Sequence, residues 1–204
     1  AHLRLLTEQD PTDRESYIRL AENLEEQKRS EEAQGVFYSS MQRFADDYRF
    51  AYGYSRLALA TGNLKAAEDA LKKAEQLADK SDASRLAVLR RRLDAERTQR
   101  ELAELKQIIR QNPSDSDARY RLIEQFAKTG DWLAVRVEFD QLLSARPDLR
   151  SDVIQHLKSL ISTTEQNFLL QDYLADLLFI DRRFDEVLEM YESMAGRSVH
   201  KEES

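Results

Sequence analysis

The chain has 204 residues, of which 41% are hydrophobic and 34% charged, and its net charge is −7. Five glycines and three prolines supply too few turns for an all-β fold, and the lack of cysteine excludes disulfide scaffolds, cysteine-based zinc sites and thiol catalysis. No apolar run reaches the roughly 18 residues of a membrane span, and the acidic balance argues against nucleic-acid binding over a broad surface. We expect a soluble, cytoplasmic, nearly all-helical protein.

A 34-residue period runs through the sequence. Pro11 and Pro113 are 102 residues apart, three times 34, and Pro147 follows after a further 34. Gly62 and Gly130 are 68 residues apart, twice 34, and an Asn or Asp follows each of them. Rare residues that recur in one register are typical of a repeat architecture. The sequence therefore predicts a stack of similar units.

Each unit is predicted to contain two amphipathic helices that pack antiparallel. Gly62 and Gly130 suit the left-handed residue that ends a first helix, and Asn63 and Asp131 are then expected to cap the second. Steps of 34 predict the buried stripe of the second helices, which holds Phe37, Leu71, Leu105 and Phe139 in one column and Ser40, Ala74, Ile108 and Leu142 in another.

The middle unit, 82–115, departs from this pattern. It has Glu96 in the turn column and Glu101 in a column of small residues, and no helix breaker lies within 84–111. Two structures remain open for this segment. It forms either one long helix of roughly 40 Å at 1.5 Å per residue, or a helix pair with a tight turn that lacks glycine.

The register slips in the last third of the chain. Val187 follows Val135 by 52 residues, which is 18 more than one period. An extra helix over 150–164 would account for the difference, and 166–180 would then pair with 183–195.

These patterns predict one helical repeat domain over 1–195, followed by a polar tail over 196–204. Residues 1–9 resemble the end of a second helix, so the chain starts in the middle of a unit, and we expect it to be a fragment of a longer array. The predicted units cover 14–47, 48–81, 82–115 (divergent) and 116–149, followed by the extra helix over 150–164 and the pair over 166–195.

The period, the small residues in both helices, the aromatic of the second helix, the Gly-Asn and Gly-Asp turns and the closing proline together resemble the tetratricopeptide repeat (TPR) family. The family's tryptophan early in the first helix is missing, and Tyr17, Ala51, Arg85 and Arg119 occupy that column. The resemblance implies an all-α fold, an α-solenoid of antiparallel helix pairs wound as a right-handed superhelix. It also implies that the first helices line a concave groove for a partner peptide or helix.

The resemblance places two columns of side chains in this groove. Members that bind chaperone tails have Lys and Asn in these columns, whereas this sequence offers aromatic and guanidinium groups, which are enriched at binding hot spots. The alternative is that these side chains only stiffen the helix array. The candidate groove residues are Tyr52, Arg56, Leu86, Arg90, Tyr120 and Glu124.

A second candidate surface lies in 166–180, which is apolar nearly all round. Such a helix is usually buried between neighbours. The alternative is an exposed surface for a partner or for self-association, with Phe168, Tyr173 and Phe179 as its candidate residues.

Residues 85–110 hold eight basic and four acidic side chains. We favour a solvated helix in which arginines pair with acids four residues away, over a docking patch for acidic peptide or RNA.

The sequence shows little sign of chemistry. His2, His156 and His200 are too scattered for a metal site, and Asp152 with His156 is expected to be an ordinary surface pair. Phosphate-binding loops and hydrolase or metalloprotease motifs are absent. We therefore expect no catalytic residues, metal, cofactor or small-molecule substrate.

We predict a non-catalytic scaffold or adaptor that binds a protein or peptide partner in the groove. The alternative is a structural module that self-associates through 166–180 or through the open ends of the array. RNA binding is disfavoured by the acidic balance, and a spacer or regulatory role in a larger enzyme stays open.

Overall fold

The computed structural model describes residues 7–164 and 167–192, and within these ranges the chain forms helices and turns without strands. Among these residues, no helix has both the length and the apolar character needed to cross a membrane. The helices are α1 (Arg14–Glu26), α2 (Ser30–Arg43), α3 (Tyr48–Ala60), α4 (Leu64–Leu77), α5 (Ala83–Gln111), α6 (Ser116–Thr129), α7 (Trp132–Ala145), α8 (Arg150–Thr163), α9 (Phe168–Ile180) and α10, which is described over residues 184–192.

The helix starts confirm the 34-residue period. Helices α1, α3, α6, α8 and α10 begin at positions 14, 48, 116, 150 and 184, so that successive starts differ by 34 or by twice 34. Adjacent helices pack in pairs, as in an α-solenoid, with α1 against α2, α3 against α4 and α6 against α7. The boundaries of the repeat units stay a prediction.

Short polar side chains start the helices in both positions of a pair. Asp13, Asp47 and Asp115 lie in one column of the register, and each accepts a hydrogen bond from a backbone N–H in the first turn of α1, α3 or α6. Asn63 and Asp131 cap α4 and α7 in the same way, as predicted. These side chains satisfy N–H groups that have no partner within the helix.

Glycine makes two of the turns between paired helices. Gly62 and Gly130 have φ values of 79° and 74°, which confirms the predicted left-handed conformation. Lys28 occupies the same column and has a φ of 60°. Where that column holds Glu96, the backbone stays helical, and α5 continues through 29 residues, or about 43 Å. The middle of the chain therefore contains one long helix and not a helix pair.

The chain divides into two compact units, Ala1–Gln99 and Arg100–Ser204, with the boundary inside α5. In the first unit, Leu86, Leu89 and Leu93 of α5 belong to the core formed by α1 to α4. In the second unit, the last part of α5 packs against α6. One continuous helix thus supplies core residues to each unit in turn.

Small residues allow close packing in the first unit. Ala33 and Ala67 are fully buried in the second helices of their pairs. Ser55 is buried as well, and its hydroxyl donates to the carbonyl oxygen of Ala67 at 2.7 Å. Gly53 of α3 lies against the ring of Phe37 in α2, where a Cβ atom would overlap the ring. Close approach of α2 and α3 therefore depends on a residue without a side chain.

One predicted core residue in α5 is exposed. Leu105 and Ile109 are buried one turn apart and pack against α6, whereas the side chain of Ile108 is 40% exposed. The prediction that Ile108 is buried was wrong. It assumed a separate second helix in this unit, but the residues of a continuous α5 that face α6 form a stripe that does not include Ile108.

The last third of the chain keeps the helix register. Helix α8 covers the range of α6 shifted by 34 residues, and α9 packs against α8. Helix α8 is therefore in the position of a first helix and is not the extra helix that we expected over 150–164. Four residues connect α8 to α9 where two connect α6 to α7, which displaces the second-helix pattern. The predicted pair over 183–195 is described only to residue 192, and His2, His200 and the tail over 196–204 lie outside the described residues.

Candidate partner-binding faces

Ion pairs link neighbouring first helices in the first unit. Arg49 of α3 lies 3.1 Å from Glu15 of α1, and Arg56 of α3 lies 2.5 Å from Glu25 of α1. Exposed pairs of this kind contribute about 0–1 kcal/mol each, so their main effect is to orient the guanidinium groups. The candidate groove residue Arg56 is half-exposed on this face.

Tyr52 lies on α3 one turn before Arg56. Its ring packs partly against the core of the first unit and stays half-buried. The guanidinium carbon of Arg85 in α5 is 5.9 Å from the ring centroid, an arrangement that permits a cation–π interaction. The sequence predicted Tyr52 on this face but did not predict that Arg85 would accompany it.

Two further groove candidates face the interior or another helix. Leu86 is only 4% exposed and belongs to the core of the first unit, so its placement in an open groove was wrong. Arg90 forms a two-toothed ion pair with Glu75 of α4, with N–O distances of 2.7 and 3.1 Å. This pair raises the pKa of Arg90. We had expected arginines of this segment to pair within their own helix, whereas Arg90 pairs across to α4.

In the second unit, Tyr120 of α6 stacks on His156 of α8, with ring centroids 5.1 Å apart and an angle of 28° between the rings. The fully buried ring of Phe139 lies edge-on to both, at 6.4 and 5.8 Å. Burial raises the pKa of the Tyr120 hydroxyl, which has no hydrogen-bond partner within the described ranges. Burial lowers the pKa of His156, and Glu124 partly opposes that effect.

Carboxylates flank this stack. Glu124 is exposed one turn after Tyr120 on α6, and Asp152 is exposed one turn before His156 on α8. We had expected Asp152 and His156 to form an ordinary surface pair. His156 is instead half-buried between aromatic rings, because α6 and α8 lie side by side in a way that one helix alone does not reveal.

The second predicted surface is only partly exposed. Phe168 and Phe179 are 58% and 62% exposed, but Tyr173 is 3% exposed and therefore cannot serve as a surface residue. The Tyr173 hydroxyl donates to Asp140 of α7 at 2.7 Å, and the guanidinium of Arg136 lies 5.2 Å from its ring centroid. Burial strongly raises the pKa of Tyr173. Packing of α9 against α7 thus buries the residue in the middle of the segment.

An apolar patch remains at the end of α9 and along α10. Its side chains are between 45% and 62% exposed, and the first and third of them are in edge-to-face contact at 5.2 Å. We call this set the C-terminal apolar patch, and it consists of Phe179, Ile180, Phe184, Leu188 and Tyr191.

A buried polar network in the second unit was not predicted. Arg119 is 5% exposed, and its guanidinium donates to Glu138 at 2.8 Å, to Gln141 at 2.9 Å and to the carbonyl oxygen of Pro113 at 3.2 Å. The available signal was an arginine in a column where the TPR pattern has an aromatic residue. A pocket of about 450 Å³ borders this network and is also lined by Lys106.

The described residues contain no group of three or more His, Asp or Glu side chains that could hold a metal ion. Their shifted pKa values have structural causes, such as the burial of Tyr173 and its hydrogen bond to Asp140.

No protein-family model matches the chain, and no curated protein matches it. Among solved structures, it is similar to YrrB, a TPR protein with an unusual peptide-binding site, at 17% identity over 87% of this chain and 92% of that one, with a TM-score of 0.43. It is similar to a chain of the Naa15/Naa10 complex bound to HypK-THB at 16% identity over 96% of this chain but 33% of that one, with a TM-score of 0.44. A TPR protein from Parabacteroides merdae is 13% identical over 95% of this chain and 70% of that one, with a TM-score of 0.32. The resemblance to the tetratricopeptide repeat rests on the 34-residue register and the helix pairs of this chain itself.

Proposed function

We propose that the protein is a non-catalytic interaction scaffold that binds a partner peptide or helix along the faces of its first helices. The observation that carries this proposal is that neighbouring first helices hold aromatic rings half-exposed and fixed in place. Tyr52 has Arg85 beside it, and Tyr120 stacks on His156. Rings that are already held in place lose little conformational entropy on binding, and Tyr and Arg are enriched among residues that dominate binding energy. The cytoplasmic location stays a prediction from composition.

Each unit is treated as a separate docking face in this proposal. Tyr52 and Arg56 define the face of the first unit, and Tyr120 and Glu124 define that of the second. A partner then binds through several shallow contacts, which suits an adaptor or assembly role.

The test is affinity capture from source lysate with three immobilised forms of the chain. They are the native protein, Tyr52→Ala/Arg56→Ala and Tyr120→Ala, each first checked for unchanged helicity by circular dichroism. A matched control, Tyr38→Ala/Arg91→Ala, removes an exposed tyrosine and an exposed arginine from other surfaces of the first unit. Partners that the native and control proteins retain, and that at least one face variant loses, are expected. Equal retention by all four proteins would contradict docking on these faces.

Self-association is the second candidate function, and the C-terminal apolar patch is the observation that favours it. Monomeric proteins rarely leave several large apolar side chains exposed together. Sedimentation velocity over a wide concentration range tests this alternative, with Phe179→Ser/Leu188→Ser as the patch variant and Val88→Ser, which changes an exposed valine of the first unit, as the control. A mass that rises with concentration in the native and control proteins but not in the patch variant supports self-association, and a constant monomer mass excludes it.

A further inference from the structure

The stacked rings of the second unit form a fixed surface, which we call the Tyr120–His156 platform. Helices α6 and α8 supply one ring each, and the buried Phe139 supports both from below. Because the rings hold each other and Phe139 holds both, the platform has little freedom to lose when a ligand binds. Its outer side belongs to half-buried residues, so part of each ring is accessible.

The charges around the platform are negative. Glu124 and Asp152 are exposed, and their fields reach the platform, since Glu124 acts on His156 and Asp152 acts on Tyr120. Within residues 7–164 and 167–192, neither carboxylate has an ion-pair partner within 4.0 Å. Burial lowers the pKa of His156, so the imidazole is neutral near pH 7 and adds no positive charge.

Nearby cations are directed elsewhere. Arg121 of α6 pairs with Glu101 of α5 at 3.4 Å, and Lys158 of α8 pairs with Glu186 of α10 at 2.6 Å. Lys128, one turn beyond Glu124, is exposed and forms no ion pair with it in the described structure. The two platform carboxylates are therefore available to a positive charge from outside.

We propose that the Tyr120–His156 platform, with Glu124 and Asp152 at its rim, docks an arginine-bearing, basic segment of the partner. A guanidinium that stacks on an aromatic face also reaches carboxylates at its edge, so that both interactions act on one side chain. An acidic segment is repelled by the same rim. This inference rests on the proposed function and specifies the chemistry of the partner at one of its faces.

The test uses three fluorescein-labelled glycine–serine peptides that are identical except for their variable residue, which is arginine, citrulline or glutamate. Citrulline keeps the shape of arginine without its charge. Fluorescence anisotropy is expected to show binding of the arginine peptide, with weaker binding of the citrulline peptide and no binding of the glutamate peptide. Equal affinity for arginine and citrulline, preference for glutamate, or no binding of any peptide would overturn the proposal.

Two charge-matched variants locate the interaction. Glu124→Gln/Asp152→Asn is expected to weaken binding of the arginine peptide about tenfold, because both rim charges are lost. The control Glu104→Gln/Asp172→Asn removes two exposed carboxylates elsewhere in the second unit and is expected to change the affinity less than about twofold. Equal weakening by both variants would show general attraction to an acidic protein and would overturn the platform.

A ring-specific readout separates this inference from the proposed function. The His156 imidazole resonances are expected to shift when the arginine peptide is added, and unchanged resonances would overturn the platform. If that happens while Tyr52→Ala/Arg56→Ala still loses a lysate partner, the scaffold function stands and only the platform fails. If no face variant loses a partner, the scaffold function fails, and the peptide titration alone decides whether the platform binds arginine.

Discussion

Two helical glycines in the first unit are expected to respond in opposite directions to the same substitution. Gly35 of α2 has open space where a Cβ atom would lie, whereas a Cβ atom on Gly53 of α3 would overlap the ring of Phe37. Both positions lie inside helices, where alanine is favoured over glycine by roughly 0.5–1 kcal/mol. Gly35→Ala therefore raises the free energy of unfolding by about that amount.

The overlap reverses the sign at Gly53. Phe37 is only 3% exposed and sits within the core, so its ring cannot rotate into solvent to make room. Overpacking of a filled core destabilises a protein by about 1–3 kcal/mol, which exceeds the gain in helix propensity. Gly53→Ala is therefore expected to lower the free energy of unfolding by about 1–2 kcal/mol.

Urea denaturation followed by circular dichroism at 222 nm measures both variants. Phe37→Leu removes part of the ring, so adding Gly53→Ala to it is expected to reduce stability less than in the native background. A Gly53→Ala protein as stable as the native one would refute the close approach of α2 and α3. An unchanged penalty in the Phe37→Leu background would refute the assignment of that penalty to the ring.

Three other predictions concern polar groups. Arg119→Ala leaves the buried Glu138 unpaired and is expected to destabilise the second unit by about 3–5 kcal/mol, as reported by the fluorescence of Trp132; Arg119→Met/Glu138→Leu should recover most of this loss, and a double variant as unstable as the single one would contradict the reasoning. Asp47→Ala removes the cap of α3 and should lower the thermal stability by about 0.5–2 kcal/mol, while an unchanged melting temperature would count against the cap. The lowered pKa of His156 means that the unfolded chain takes up its proton first, so this contribution is present above about pH 6.5 and is lost as the pH falls through the folded-state pKa. Urea midpoints measured against pH should accordingly fall less steeply on acidification in His156→Phe than in the native protein, and parallel curves would disprove the linkage.

Helix positions were largely predictable because their determinants are local. Asn63 and Asp131 cap the helices that follow them, and Gly62 and Gly130 adopt the left-handed conformation expected of a turn. Glu96 removes a turn by allowing the helix to continue, and the sequence left this open because a glycine-free turn is also possible. The missed continuity of the register in the last third came from following side-chain columns, which the longer α8–α9 connection displaces.

The candidate sites were less predictable. Tyr52 and Tyr120 are half-buried on first helices, but Leu86 and Tyr173 are buried, although both had been predicted at accessible positions. The difference lies in which helices pack on each residue. A column assignment gives the side of a helix, whereas the neighbours that cover that side come from other parts of the chain. His156 was missed as part of a binding face for the same reason, since its stacking partner is 36 residues away.

The sequence by itself determined the 34-residue register, the caps and glycine turns of the helices, and the all-helical character of the protein. Those features follow from hydrogen bonds and backbone preferences that act within a few residues. Only the tertiary structure decided that Arg90 pairs with Glu75, that Arg119 has a buried carboxylate partner and that Tyr120 meets His156. Each of these pairs joins different helices, and the way in which helices pack depends on the shapes and volumes of many side chains at once.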